Sequence, residues 1–383
     1  MTYLPFVLML AVLILLAVEK LAIHRGVHRI AMRIQVNGTR GKSSVVRYIA
    51  AGMRASGHTT FAKVTGIRPL LISPGGKATI IPRLGGARVQ EQFHIIRRAA
   101  RARAECLTLE CMSITPELQR LESRHFQPQI YVLTEIRDDH REKLGDDISE
   151  QIEAICSAIP SNATIVTGAG QHLETVKQYA EARHSRVVVI PTPDELDQKI
   201  LPDGVFAENV ALALTACRLA GVDTDNAARG IHEETQRHRT RAIDVVTDGT
   251  KVLFINGFAV NDVPSAQSFL DNWRRRYPTL KNVAVIFNTR SDRPLRTKSF
   301  AEWFGRLPGL RKLILVGDHA GYARRAILRY GTPEENVVVW SRRRLGQTRE
   351  LLTAMRLKDT LVVGFGNISG DGFRIVDAMH TWT

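Results

Sequence analysis

The chain has only four cysteines in 383 residues, Cys106, Cys111, Cys156 and Cys217, and their spacing matches no metal-binding pattern. Cys106 and Cys111 are five apart, with no second pair and no histidine nearby. That excludes a zinc finger or ribbon and leaves reduced, buried thiols of a cytosolic domain. Internal repeats and low-complexity linkers are also lacking. Acidic residues are in deficit: 38 Asp and Glu stand against 53 Lys and Arg, for a formal net charge of +15. The excess recurs as clusters at Arg97-Arg98 with Arg101 and Arg103, at Arg274 to Arg276 and at Arg342 to Arg344. Such a balance points to polyanionic partners: nucleotide phosphates, an anionic polymer or an anionic membrane face. No zinc finger and no aromatic RNA-binding strand accompanies the charge, so nucleic acid is not an expected partner.

The N-terminus lacks both the basic first segment and the small-residue cleavage site of a secretory signal. It carries instead an uncharged apolar run over residues 4–18, interrupted by Glu19-Lys20 and resumed by Leu21-Ala22-Ile23. Counted to Ile23, the run is long enough to cross roughly 30 Å of hydrocarbon. His24, Arg25, His28, Arg29 and Arg33 follow it. Basic residues after the span place the body on the cytoplasmic side. The expectation is a single-pass anchor over residues 1–24 at the cell membrane.

The richest local signal is Asn37-Gly38-Thr39-Arg40-Gly41-Lys42-Ser43-Ser44. It follows the strand-like Ile34-Gln35-Val36 and precedes a helix-like stretch. Strand, glycine-rich turn and helix is the context of a phosphate-binding loop. The glycines let the backbone approach the phosphates, and helix N–H groups then face the anion. Lys42 reaches toward the outer phosphates and the Ser43 hydroxyl toward Mg²⁺. One element departs from the Walker pattern: Val36 stands where a first glycine is usual.

Downstream, apolar strand-like runs alternate with helix-like stretches, the signature of a parallel α/β sheet. Strands are expected at residues 33–36, 106–110, 130–134, 164–167 and 187–190, and helices at 44–56, 90–104, 148–159 and 209–220. A polar, basic break falls at residues 232–242. Beyond it, residues 251–256, 283–288, 313–316 and 360–363 read as strands of a second α/β unit. The expected division is an ATP-binding domain over 30–240 and a smaller C-terminal α/β domain over 241–383.

Chemistry-bearing residues gather at the carboxyl ends of the expected strands, where ligands bind in open α/β sheets. Glu110 ends one strand, and Thr134-Glu135-Ile136-Arg137-Asp138-Asp139-His140 follows another. With the loop at Lys42 and Ser43 they form a pattern. Asn256-Gly257-Phe258-Ala259 with Asn261-Asp262, Arg290 with Asp292-Arg293, and Gly364-Phe365-Gly366-Asn367-Ile368 extend it almost to the C-terminus. In order and spacing these stretches resemble the Mur ligase superfamily of ATP-dependent amide ligases, and within it the poly-γ-glutamate synthases. The resemblance to that branch implies that the large Mur N-terminal substrate domain is not expected.

The resemblance implies a Mur-ligase-like P-loop ATPase domain followed by a Rossmann-like C-terminal domain. It implies ATP and Mg²⁺ as cofactors, with Gly38, Thr39, Arg40, Gly41, Lys42, Ser43 and Ser44 around the phosphates. Lys42 contacts the β- and γ-phosphates, Ser43 and Glu110 hold one Mg²⁺, and His140 a second. Asn209 lies on the adenine side. Arg241 (or Arg239) and Asp262 come from the C-terminal half toward the nucleotide. Arg290, Asp292, Arg293 and Arg296 form a basic loop suited to a carboxylate substrate. Lys42, Glu110, His140 and Arg241 are the implied catalytic set. Implied partners are glutamate, the poly-γ-glutamate chain, small integral-membrane synthase or export subunits and a surface-facing partner, and a homo-oligomer stays open.

Three residues depart from the superfamily pattern. Ile155 stands where many members carry a carbamylated lysine, and no lysine occurs between Lys143 and Lys177. Leu212 replaces the second of two asparagines on the adenine side, and Val260 a common histidine. The activity expected is ADP-forming extension of a γ-glutamyl chain through an acyl phosphate. Two alternatives stay open at this level: a folylpolyglutamate- or Mur-type ligase with another acceptor, and a nucleotide-switched membrane assembly protein.

Overall fold

The computed structural model describes residues 3–66, 69–83, 85–138, 141–170, 172–193, 201, 205–238, 242–247, 250–260, 262–291, 293–348, 351–352, 355, 357, 359–368 and 370–380. Two compact units make up the chain, Met1–His238 and Arg239–Thr383.

The first unit is built on an eight-stranded sheet: β1 (Met32–Asn37), β2 (Thr60–Val64), β3 (Leu70–Ile72), β4 (Ala78–Ile80), β5 (Cys106–Glu110), β6 (Ile130–Leu133), β7 (Thr164–Thr167) and β8 (Arg186–Val189). The spatial order is β4-β3-β2-β5-β1-β6-β7-β8. From β2 to β8 every neighbouring pair is parallel, while β3 and β4 add on antiparallel at one edge. The sheet is therefore mixed rather than parallel throughout.

Helices cover both faces of the parallel part, which is why its strands read as short apolar runs. On one face Ile34, Val36 and Val132 meet Val45, Val46, Ile49 and Met53 of α2 (Lys42–Ala55). On the other, Leu107 and Leu109 meet Ile95, Ile96 and Ala99 of α3 (Gln90–Arg101). β1 runs between β5 and β6, so the loop after it opens at the middle of the sheet's carboxyl edge.

The N-terminal helix α1 runs Leu4–His28, longer than the expected anchor. It is long and apolar enough to cross a membrane, by length and composition. Its first residues are exposed, while Ile23, Gly26 and Val27 are buried against α3. A Cβ at Gly26 would lie 3.4 Å from Ile96 Cγ2 and 3.8 Å from Ala100 Cβ, at ordinary contact distance, so α1 packs directly on α3 here. The Arg33 guanidinium then takes the carbonyls of Val27 and Ile30 at 3.3 and 2.7 Å, tying the end of α1 to the start of β1. A boundary at residue 24 thus falls inside a helix that is docked on the body.

The polar stretch expected as a break is helical as far as His238, in a helix that starts at Thr224. Ala227, Ile231, Glu234 and Thr235 recur at helical spacing and are all buried. Gly230 lies so close to α2 that an added Cβ would sit 2.5 Å from the Ala51 carbonyl oxygen.

The second unit holds six strands: β9 (Ala242–Thr247), β10 (Thr250–Asn256), β11 (Asn282–Thr289), β12 (Leu310–Gly317), β13 (Val337–Val339) and β14 (Thr360–Gly366). Their order is β13-β12-β11-β14-β10-β9, parallel except for the hairpin partner β9. One face carries an aromatic cluster in which Phe300 lies 5.2 Å from Phe287, 5.7 Å from Phe304 and 6.1 Å from Phe365 between ring centroids. Phe300 is fully buried. Phe300→Ala is expected to lower the stability of this unit by about 3–5 kcal/mol, because the ring leaves a cavity its aromatic neighbours fill poorly. Urea unfolding followed by tryptophan fluorescence checks it, since Trp303 lies beside the ring.

Candidate active site

The turn after β1 is shaped by glycine. Gly38 has φ +125° and Gly41 φ +82°, conformations that side-chain-bearing residues seldom adopt. Val36 is not a loop residue at all: it is a fully buried position of β1, paired with Glu110 of β5 and Val132 of β6. The loop is therefore shorter than the Walker pattern, and its first glycine is Gly38.

Neighbouring strands hold the loop at both ends. Asn37 accepts the Gly38 N–H at 2.8 Å, and its own amide donates to Gln119 Oε1 and the Tyr131 hydroxyl, each at 2.8 Å. Burial pushes the Tyr131 hydroxyl well above its ordinary pKa, so it stays a neutral partner. The Glu135 carbonyl accepts the N–H groups of Thr39 and Arg40 at 3.1 and 3.2 Å, and Thr39 Oγ1 accepts the Arg137 N–H at 2.7 Å. Gly41 then caps α2 in the left-handed conformation. Having no side chain, it leaves the first-turn N–H groups of a long helix to an anion. The Lys42 ammonium arches back over the loop, with Nζ donating to the Gly38 carbonyl at 2.6 Å.

Glu110 ends β5 beside this helix start and is buried. Its Oε2 accepts from Ser43 Oγ at 2.8 Å and from the Thr65 N–H at 2.7 Å. Ser43 and Glu110, 67 residues apart in sequence, thus meet as two hard oxygen donors at the mouth of the phosphate loop. That donor chemistry suits Mg²⁺. Among the described residues no group of three or more His, Cys, Asp or Glu could hold a metal, so the pair needs phosphate oxygens or water to complete a shell. His140 lies outside the described residues, as do Arg241, Arg239 and Asp292.

Sequence reading missed the segment that closes this site. β2 delivers Thr65 to the Glu110 carboxylate and Gly66 to Ser43, where an added Cβ would come within 2.8 Å of Ser43 Oγ. Behind it lies a buried polar network around Lys63, Gln92 and Glu122. Burial lowers the Lys63 pKa against the pull of Glu91. Burial works the other way on Glu91, but hydrogen bonds from Arg83 and Lys63 outweigh it and hold that carboxyl below its usual value. The one sequence signal was a lysine inside an otherwise apolar run.

Asn209, expected on the adenine side, packs on the loop itself: a Cβ added at Gly41 would lie 2.3 Å from Asn209 Oδ1. Its neighbour Glu208 lines a cavity of about 360 Å³ with Glu135, His172, Thr192 and the Gly168–Gly170 turn. Burial raises the Glu208 pKa, with Glu135 adding to it, and burial lowers that of His172. Two carboxyl groups make this cavity hospitable to an uncharged or cationic group rather than to a carboxylate.

In the second unit, Arg290, Arg293 and Arg296 follow the carboxyl end of β11. Arg296 Nη1 donates to Asn367 Oδ1 at 2.7 Å, just past the end of β14. Asp262 caps the helix Val263–Arg276, accepting the Ser265 N–H at 2.9 Å.

A phosphate loop at the centre of a mixed α/β sheet, a buried glutamate on the next strand and a second α/β unit together define a ligase of the Mur type. Comparison with known proteins bears this out. Residues 36–211 match the Mur ligase middle domain, and residues 242–381 match the poly-gamma-glutamate synthase CapB C-terminal domain. The capsule biosynthesis protein CapB of Bacillus anthracis is 31% identical over 366 residues, covering 91% of this chain and 76% of that one. The PGA synthase CapB of Bacillus subtilis (strain 168) is 27% identical over 382 residues, covering 97% and 96%. Among solved structures, the Escherichia coli FolC complex with ADP superposes with a TM-score of 0.70 at 16% identity, over 95% of this chain and 94% of that one. The Yersinia pestis folylpolyglutamate synthase/dihydrofolate synthase with AMPPNP and Mn gives 0.68 at 14%, over 95% and 92%. The chain belongs to the CapB family of poly-γ-glutamate synthases.

Proposed function

We propose that this protein extends a γ-glutamyl chain by one glutamate at a time, converting ATP to ADP and phosphate. The observation that carries this reading is the meeting of Ser43 and Glu110 at the mouth of the loop, in a chain of this family. The terminal carboxylate of the chain attacks the γ-phosphorus. The new O–P bond forms as the bridging bond to the β-phosphate breaks, and ADP leaves. The amine of the incoming glutamate then attacks the acyl carbon, phosphate leaves with the electron pair of the C–O bond, and the amine gives up a proton.

The physical obstacle is charge, because a carboxylate and a γ-phosphate repel one another. Screening and alignment therefore carry most of the catalysis. Lys42 transfers its ammonium from the Gly38 carbonyl to the phosphates, and the α2 N-terminus receives the β-phosphate. Ser43 and Glu110 hold Mg²⁺, which when bound adds further screening of the phosphate oxygens. Arg290, Arg293 and Arg296 hold a substrate carboxylate. The anchor α1 keeps the body at the cytoplasmic face of a membrane, beside integral-membrane partners.

The test uses membranes containing the full chain. Glutamate-dependent ADP release is expected, and hydroxylamine under turnover is expected to trap the acyl phosphate as a hydroxamate. ADP release that ignores glutamate, with no hydroxamate formed, would sink the reading and favour a nucleotide switch.

A further inference from the structure

We infer that Lys63 is a positioning residue for Glu110: it fixes the Gln92 amide, which in turn fixes the end of β5. The inference rests on the proposed role of Glu110 as a metal ligand.

Lys63 is next to last in β2 and wholly inaccessible to solvent, its side chain 0% exposed. Its ammonium has three protons and three partners: Glu91 Oε1 at 2.7 Å, Gln92 Oε1 at 2.9 Å and Met112 Sδ at 3.2 Å. An ammonium donates and never accepts, so the Gln92 side chain must turn its oxygen toward Lys63. The amide nitrogen then faces the other way by necessity. It donates to the Glu110 carbonyl and to Glu122 Oε2, each at 2.9 Å. Glu122 in turn accepts the N–H groups of Met112 and Ser113 at 3.2 and 2.9 Å and the Ser113 hydroxyl.

The cation therefore sets the orientation of one amide, and that amide with its partner Glu122 grips the backbone on both sides of Cys111. The Glu110 carboxylate is held from the same strand, since Thr65 lies two residues beyond Lys63 and donates to Oε2. Arg83 closes the far side with two bonds to Glu91 at 2.6 and 2.9 Å, so that carboxylate lies between two cations. Stability alone does not call for this arrangement, because well-packed apolar side chains of the same volume serve a buried site as well as an ion pair does. They would not orient Gln92.

The experiment compares three variants of the full chain in detergent with the unchanged protein. Mn²⁺ binding with ADP is followed by electron paramagnetic resonance without turnover, melting by circular dichroism, and kcat and KM for glutamate separately. Lys63→Met is expected to weaken Mn²⁺ binding by about tenfold, the effect of losing a partner behind a metal ligand. The fall in kcat should be similar, with KM for glutamate unchanged. Unchanged Mn²⁺ binding in Lys63→Met would overturn the inference, as would a loss confined to the melting temperature. Should Lys63→Met fail to fold, Gln92→Met keeps the Lys63–Glu91 pair and deletes the amide. The same loss is expected there, and wild-type Mn²⁺ binding overturns the idea. Glu110→Gln separates the two levels: if it leaves Mn²⁺ binding untouched, the metal-ligand reading itself fails.

Discussion

Lys42→Ala is expected to stop chain extension almost completely, lowering kcat by about a hundred- to a thousandfold, or roughly 3–4 kcal/mol of transition-state stabilisation. The γ-phosphate gains a carboxylate attacker in the transition state, so negative charge concentrates where the ammonium must be. Lys42 stands at the first position of α2, and its amine is held by the Gly38 carbonyl alone among the described groups. Alanine is a strong helix former at that position. The fold should therefore survive, with circular dichroism unchanged and ADP still bound, more weakly. Glutamate-dependent ADP release in membranes measures the effect. Full retention of polymer synthesis would remove the loop from the mechanism.

The second large effect concerns the two loop glycines, which fail for different reasons. Both sit in the left-handed region, where an L side chain costs about 1–2 kcal/mol. At Gly38 a Cβ would also lie 2.3 Å from Thr134 Oγ1 and 2.8 Å from the Thr134 carbonyl oxygen. That carbonyl is backbone at the exit of β6 and cannot rotate away. At Gly41 the obstacle is the Asn209 side chain, which can move. Gly38→Ala is therefore expected to abolish nucleotide binding, a loss of at least about a hundredfold from strain and clash together. Gly41→Ala should lose about tenfold, the share set by conformation, with Asn209→Ala restoring part of any excess. Titration with a fluorescent ADP analogue distinguishes them. Equal losses at the two positions, or full rescue of Gly41→Ala by Asn209→Ala, would contradict this account of the loop.

Much of the site could be read locally because its parts are short and contiguous. A glycine-rich turn between an apolar strand and a helix needs only neighbours in sequence, and the stretch from Asn37 to Ser44 carries all of it. Glu110 could be read as well, because a charge ending an apolar run marks a strand's carboxyl edge. The central strands and their helices came out near their places, since their burial is written as period. β2 did not, because Lys63 interrupts its apolar run and a charge there reads as surface. β3 and β4 have three residues each, too few to show a period. The helix ending at His238 was hidden by its charged exposed face, although Ala227, Ile231, Glu234 and Thr235 recur at helical spacing.

Lysine, glutamine and glutamate at positions 63, 92 and 122 carry no mutual signal along the chain, since 29 and 30 residues separate the successive hydrogen-bonded pairs. By itself, the order of residues determined the phosphate loop, the apolar first helix, the alternating α/β build and the family, because each depends on local chemistry or on a pattern of spacing. Only the tertiary structure decided that Val36 is paired between Glu110 and Val132, that Asn209 leans on Gly41, and that a buried ammonium stands behind Glu110. Those facts depend on which strands become neighbours, and strand pairing is settled by packing over long sequence distances rather than by any one segment.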